Sequence, residues 1–216
     1  MKKLRNIFFI LGAALCFNAC ERELDSEGIA SGIIRYPSVA VLGEDVVTLD
    51  EGAAYQEAGA EAFLGTDDIS SQVEIDGAVD TSTPGVYTLN YNVSITNEIG
   101  QQSSVSATRF VNVTSEDVSG VDLSGNYKGT GFAANPRVVA VTKLGNGWYQ
   151  IEDVLSSGNG IVGVFAHTGG TELVLPEQPS PFGPQFSTSG NITAEGFTWQ
   201  VFVAGAVRGP IVFVKQ

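Results

Sequence analysis

Glu152 and Asp153 stand just beyond Trp148 and Tyr149 in the segment GWYQIEDV. A carboxylate pair beside aromatic rings is the arrangement that cleaves glycosides, when the two groups lie roughly 5–9.5 Å apart. Neighbours along a strand point to opposite faces, so these two do not converge on one substrate. The lone histidine, His167 in VFAHTGG, lacks the positioned serine or cysteine that a nucleophilic triad needs, and no Gly-x-Ser-x-Gly elbow is present. It is read as a surface or turn residue before Gly169-Gly170, and one histidine makes no His-rich metal site. Asp67-Asp68 and the group Glu44, Asp45, Asp50 and Glu51 offer oxygens to calcium, which wants 6–8 of them, but without a ligand-loop spacing; turn capping is the expected role. No glycine-rich loop leads from a strand into a helix, so nucleotide binding has no support. The chain is expected not to be an enzyme and to need no cofactor and no metal.

The aromatic residues are the remaining candidates. Trp199 shares a face with Phe197, Val201 and Val203 in GFTWQVFV and belongs in a core. Trp148 and Tyr149 leave a Gly-Asn-Gly turn on opposite faces, so one of them should face outward. Phe182 and Phe186 lie in PEQPSPFGPQF, read as a Pro-rich loop. Aromatics on loops at one end of a β scaffold bind sugars or partners, which makes Trp148, Tyr149, Phe182 and Phe186 the ligand-binding candidates; packing over a barrel mouth is the alternative.

The elements that position these residues are strands. VYTLNYNVSI places Tyr87, Leu89, Tyr91, Val93 and Ile95 on one face and Thr88, Asn90, Asn92 and Ser94 on the other, a half-buried antiparallel strand. Pro84-Gly85 turns the chain into it, and VSATRFVNV returns beside it. Further short strands, separated by Gly145-Asn146-Gly147, Ser157-Gly158-Asn159-Gly160 and Gly169-Gly170, fill the C-terminal half, as in a small antiparallel barrel or sandwich. The organisation expected is all-β: residues 36–114 a first domain, 115–122 a polar linker with few contacts, and 123–216 a second β domain.

Ahead of these, Lys2, Lys3 and Arg5 precede an apolar run from Ile7 to Phe17, the pattern of a secretory signal peptide over residues 1–19. The run is shorter than the roughly 20 apolar residues that span a bilayer. Leu15, Ala19 and Cys20 resemble a bacterial lipoprotein signal, which implies cleavage after Ala19 and acylation of Cys20 by diacylglycerol and fatty acid such as palmitate. Cys16 competes less well because Leu15 suits the cut poorly, and an ordinary signal peptide with an incidental cysteine is the other alternative. Residues 20–35 read as a tether. Glu21, Glu23 and Asp25 resemble the surface-export signal of Bacteroidota lipoproteins, implying an outer-membrane protein facing the cell exterior; a solvated linker reads equally well. Loss of residues 1–19 takes the formal charge from −13 to −16, which argues against nucleic acid, and leaves no thiol for a disulfide.

Val46-Val47-Thr48-Leu49, Gly52, Tyr55, Glu57-Ala58-Gly59-Ala60, Asp68-Ile69-Ser70 and Val79 to Leu89, then Tyr91, occur in an order that resembles the bacterial immunoglobulin-like domain of the pesticidal-crystal-protein type. The resemblance implies a seven-strand β-sandwich over roughly residues 36–114. GNYKGTGF, VVAVTKLGNGWYQIEDVL and the final strand pair resemble the small C-terminal β domain that follows it in Bacteroidota surface lipoproteins. These resemblances imply a non-catalytic, lipid-anchored surface protein, with the Ig-like domain as spacer and the C-terminal domain binding glycan, in company with outer-membrane transport proteins. An adhesin or structural subunit that pairs by sheet edges is the second reading, and an unrecognised hydrolase the third. An exposed aromatic shelf favours the first, an uncovered flat edge strand the second, and a carboxylate-lined cleft the third.

Overall fold

The computed structural model describes residues 35–97 and 100–216. The segment read as a signal peptide, Cys20 and all but the last residue of the expected tether lie outside the described residues. Residues from Arg35 to Gln216 form one compact unit.

Its first part is a sandwich of two sheets. β1 (Pro37–Val41), β3 (Ala60–Leu64) and β4 (Asp67–Asp68) form one; β2 (Val46–Asp50), β5 (Glu74–Asp76), β6 (Gly85–Thr96) and β7 (Gln102–Thr114) form the other, in the order β2-β7-β6-β5. These are the seven strands the Ig-like resemblance implied. The alternation read in β6 holds: Leu89, Tyr91 and Val93 are buried while Asn92 and Ser94 are exposed. Val93 packs with Ala62 and Ile69 in a small core. A polar cluster spans the two sheets. The buried Arg109 guanidinium on β7 donates to the Leu42 and Glu44 carbonyls, to the Glu57 carboxylate and to the Tyr91 hydroxyl. Glu57 also accepts from Tyr55, Tyr91 and the Gly59 amide, so the Tyr55–Gly59 motif closes onto Arg109.

The second part is a closed barrel. Its strands are β8 (Gly125–Thr130), β9 (Val138–Gly145), β10 (Trp148–Ile151), β11 (Gly163–Gly169), β12 (Glu172–Val174), β14 (Gly183–Thr193), β15 (Gly196–Val203) and β16 (Ala206–Lys215). They run round the sheet as β12-β11-β10-β9-β8-β16-β15-β14, and pairing of β12 with β14 closes the circle at Glu172 and Asn191. A ninth strand, β13 (Gln178–Ser180), pairs with the start of β14. Closure demands close approach at Gly190: a Cβ there would sit 2.4 Å from the Leu173 carbonyl oxygen, so only glycine lets β14 lie against β12.

The interior is filled rather than hollow. Tyr127, Tyr149, Phe165, Phe197, Trp199 and Phe213 pack ring against ring, and Trp199 is buried as its strand pattern required. One mouth is plugged by residues 152–162, which insert Val154, Leu155 and Ile161 into the core. Asp153 holds the plug by accepting from the backbone amides of Leu155, Ser157, Gly158 and Asn159 at 2.7–3.1 Å. The indole of Trp199 donates to the Val154 carbonyl at 3.0 Å.

The two parts are joined over a packed surface. From Arg109 onward β7 is buried on both faces: Arg109, Val111 and Val113 face the sandwich interior, while Phe110, Asn112 and Thr114 face the barrel. Asn112 donates to the His167 carbonyl and Thr114 to that of Thr168, each at 2.9 Å. The linker departs from expectation here. Val118 is buried, the Val121 carbonyl accepts from Tyr149, and the Glu116 carboxylate accepts from the Gly170 amide. The linker is polar and largely exposed, but its two valines, Val118 and Val121, turn inward and anchor it.

Candidate binding surface

Trp148 and Tyr149 do leave the turn on opposite faces, but neither presents a ring to solvent. Tyr149 points into the barrel, stacks on Phe165 and donates to Val121 at 2.7 Å. Trp148 points away from the barrel axis, beside Ala166 and Val164, and the sandwich covers it. Its ring lies against Phe110 with centroids 5.9 Å apart, and its indole donates to the Val47 carbonyl at 3.0 Å. The expectation that one of the pair lies open to solvent is therefore corrected: the outward ring is the fastening between the two modules.

His167 is corrected likewise. It is 2 % exposed rather than on the surface, because the Gly169-Gly170 turn folds back beneath it. Its Nε2 lies 3.1 Å from the Gly170 carbonyl, which can only accept, so Nε2 carries the proton, and Nδ1 has no partner among the described residues. The carboxylates do not converge. Asp153 lies in the plug, while exposed Glu152 accepts from the Ala140 amide. Asp68 caps Ser70, and Asp80 caps Ser82 and Thr83. Among the described residues no three His, Cys, Asp or Glu side chains gather as a metal site.

Phe182 and Phe186 are placed differently from a loop. PEQPSPFGPQF folds as the hairpin β13–β14, with Pro179 opposite Pro184. Prolines are tolerated there because the hairpin lies at the edge, where a missing amide donor leaves no ladder bond unmade. Two glutamine amides staple it to the chain at β11. Gln178 accepts from the Val164 amide and donates to its carbonyl, both at 2.8 Å, and Gln185 donates to the Val162 carbonyl at 2.6 Å. At the tip, Ser180 Oγ accepts from the Phe182 amide and donates to the Gly183 carbonyl, and Gly183 adopts φ +99°. Phe182 is thus held on a fixed turn with 52 % of its surface in solvent.

About 10 Å along β14, at roughly 3.4 Å per residue, Phe186 stacks on Phe202 of β15. The ring centroids are 5.0 Å apart and the planes 15° from parallel. Phe202 is in turn opposite the exposed Val207 of β16, so Phe186, Phe202 and Val207 form an apolar row across three strands. Arg208, next along β16, lies over the Phe132 ring at 5.9 Å. Sequence reasoning missed Phe202, although a signal was present: it is the large apolar residue out of phase with Phe197, Trp199, Val201 and Val203. In the closed sheet β15 lies four strands from β10 in either direction, so this row occupies the wall opposite the one that Trp148 fastens to the sandwich.

Residues 39–113 match the model of the bacterial surface protein Ig-like domain. The chain matches no curated protein. Among solved structures it is similar to a lipoprotein of Bacteroides thetaiotaomicron, 25 % identical, covering 84 % of this chain and 100 % of that one with a TM-score of 0.36. It is also similar to the CBM51-2 and INT domains of Clostridium perfringens ZmpB, solved with GlcNAc: 16 % identical, 70 % of this chain and 29 % of that one, TM-score 0.29. A structure of the M60 catalytic domain of ZmpB with CBM51-1 and CBM51-2 matches at 15 % identity, 84 % of this chain and 20 % of that one, TM-score 0.30. Superpositions this loose say nothing about function.

Proposed function

We propose that the chain is a non-catalytic surface lipoprotein, acylated at Cys20, whose Ig-like module carries a barrel that binds saccharide through the wall bearing Phe182, Phe186 and Phe202. The observation that carries this reading is the Phe186–Phe202 stack on the barrel wall opposite the sandwich. The two rings are half-buried, with Phe186 also packed against the barrel core, and their parallel outer edges offer an apolar surface to the C–H face of a sugar ring. The filled barrel interior supports a reading in which binding falls on the outer wall. Similarity of residues 39–113 to bacterial surface Ig-like domains supports display outside the cell. An outer-membrane anchor, and contact with transport proteins there, follow from the lipoprotein reading.

Pairing by sheet edges has less support. The barrel is closed, β4 has two residues, both aspartate, and β5 has three, with Glu74 and Asp76 flanking Ile75. Edges as short and charged as these resist pairing with another strand, although β1, five residues without a charge, is the other edge of its sheet. Phe202→Ala and Phe186→Ala should each weaken glycan retention on an array by roughly 5- to 150-fold, the range for truncating an interface anchor at about 1–3 kcal/mol, and leave the fold intact. Retention unchanged in both variants would remove the wall as the binding surface. Incorporation of labelled fatty acid by Cys20→Ser would remove the anchor.

A further inference from the structure

The outer face of the β2-β7-β6-β5 sheet is covered by the barrel only at one end. Beyond Phe110 it is bare, and over β5, β6 and β7 it carries a cleft of about 280 Å³. Two cross-strand rows line it. Glu74, Asn92 and Ser106 face one another across the three strands. Ser94 and Ser104 form the next row, with Gln72 beside them from the 3-10 turn that precedes β5. Strands about 4.8 Å apart and rows about 6.8 Å apart give a grid the size of one pyranose ring with its hydroxyls.

The side chains of these six residues make no hydrogen bond within the described residues. The next row towards the barrel behaves differently, since Thr108 donates to Asn90 at 3.0 Å and closes the grid on that side. Serine hydroxyls and the Asn92 and Gln72 amides both donate and accept, which matches sugar hydroxyls that do the same. The lining holds no lysine, arginine or histidine and one carboxylate, Glu74. An anion therefore finds no counter-charge there, and one carboxylate falls short of the 6–8 oxygens calcium takes. Val93 and Val105 complete the lining between the two polar rows, so it offers apolar contact as well as hydrogen-bonding groups, as a sugar ring with its C–H face and hydroxyls requires.

We infer that this cleft is a second saccharide site, on the Ig-like module, which takes a single neutral pyranose residue. It goes beyond the binding assigned to the barrel wall and stands or falls separately from it. Without an aromatic platform its affinity is weak, so the probe must be concentrated.

The test is saturation-transfer NMR on the full chain in a sugar-free zwitterionic detergent. The probes are methyl glucoside, N-acetylglucosamine and glucuronate at about 10 mM, suited to a millimolar Kd. The variants are Phe202→Ala, the double change Ser94→Val/Ser104→Val, and Glu74→Gln. Valine suits an exposed strand pair, so the double variant should keep its β circular dichroism. At least one neutral sugar should receive saturation in Phe202→Ala, and its signal should fall at least fivefold when the serine changes are added. Glu74→Gln, which keeps the hydrogen-bonding shape and removes the charge, should raise the glucuronate signal from near zero. If Phe202→Ala alone abolishes every signal, or the serine changes leave the signals intact, the cleft is not a sugar site. Glucuronate bound as well as the neutral sugars would overturn the stated ligand class. Loss in the serine variant with none in Phe202→Ala would uphold the cleft and count against the wall.

Discussion

Replacing Trp148 with alanine should separate the two modules. The indole is fully buried, stacked on Phe110 and bonded to the Val47 carbonyl at 3.0 Å. Truncating a buried Trp costs about 3–5 kcal/mol through lost contact area and the cavity left behind. The Val47 carbonyl also loses its donor; that share is isolated by Trp148→Phe, which keeps a ring and should cost about 1 kcal/mol for the missing hydrogen bond. For a chain of this size each kcal/mol moves Tm by roughly 2–4 °C, so Trp148→Ala should lower it by roughly 6–20 °C. Calorimetry provides a sharper reading than the midpoint. The parent should unfold in one transition because β7 packs in the sandwich on one face and against the outer wall of the barrel on the other, whereas Trp148→Ala should show two. Trp199→Ala, buried wholly within the barrel, should lower Tm without splitting the transition. A single Trp148→Ala transition within about 2 °C of the parent, below the shift expected for even one kcal/mol or so, would refute the fastening role.

Acid should loosen the sandwich through Glu57. Burial alone would raise its pKa, but hydrogen bonds from Tyr55, Tyr91, the Gly59 amide and Arg109 outweigh that and hold it at about 2, against an ordinary 4.5. A carboxylate depressed on folding stabilises fully above its unfolded pKa, so up to about 3 kcal/mol should be present above pH 5 and lost as pH falls towards 2. Glu57→Gln should flatten that acid limb in denaturant titrations, and an unchanged slope would show that other groups set it. At the barrel seam, Gly190→Ala should cost about 1–3 kcal/mol by overpacking, because its Cβ meets the Leu173 carbonyl at 2.4 Å. A denaturation midpoint equal to the parent's would mean that β12 and β14 can part without loss.

Periodicity made the strands legible and fixed which way their side chains point. It read the inner face of β6 and placed Trp199 in the core, both as observed. Direction is not exposure, however. Trp148 does point out of the barrel, yet the sandwich lies over it, and nothing in a local pattern reports the docking of a chain segment some hundred residues away. The same holds for the Arg109–Glu57 pair, separated by 52 positions. Proline misled in the other direction: Pro179 and Pro184 made a hairpin look like a loop, because an edge pair can dispense with their amides. Phe202 was readable as the apolar residue out of phase with its strand. The polar cleft was not, since it exists only once β5, β6 and β7 bring Glu74, Asn92 and Ser106 side by side.

The pairing of β2 with β7 bears on what happens when the protein is pulled. The two strands run parallel over five register pairs, from Val46 with Phe110 to Asp50 with Thr114. Tension applied between Arg35 and the barrel, once β1 has parted from β3, draws β2 by its first residue and β7 by its last. In a parallel pair those points lie at opposite ends of the contact, so the force runs along the strands and stretches their hydrogen bonds together. A hairpin pulled from its open end would surrender them one at a time. Arg109 grips the Leu42 and Glu44 carbonyls, and Trp148 grips Val47, on the same loaded segment. Rupture therefore requires several bonds and a buried indole to fail at once, which makes this seam resist a pull far better than a peeling hairpin would.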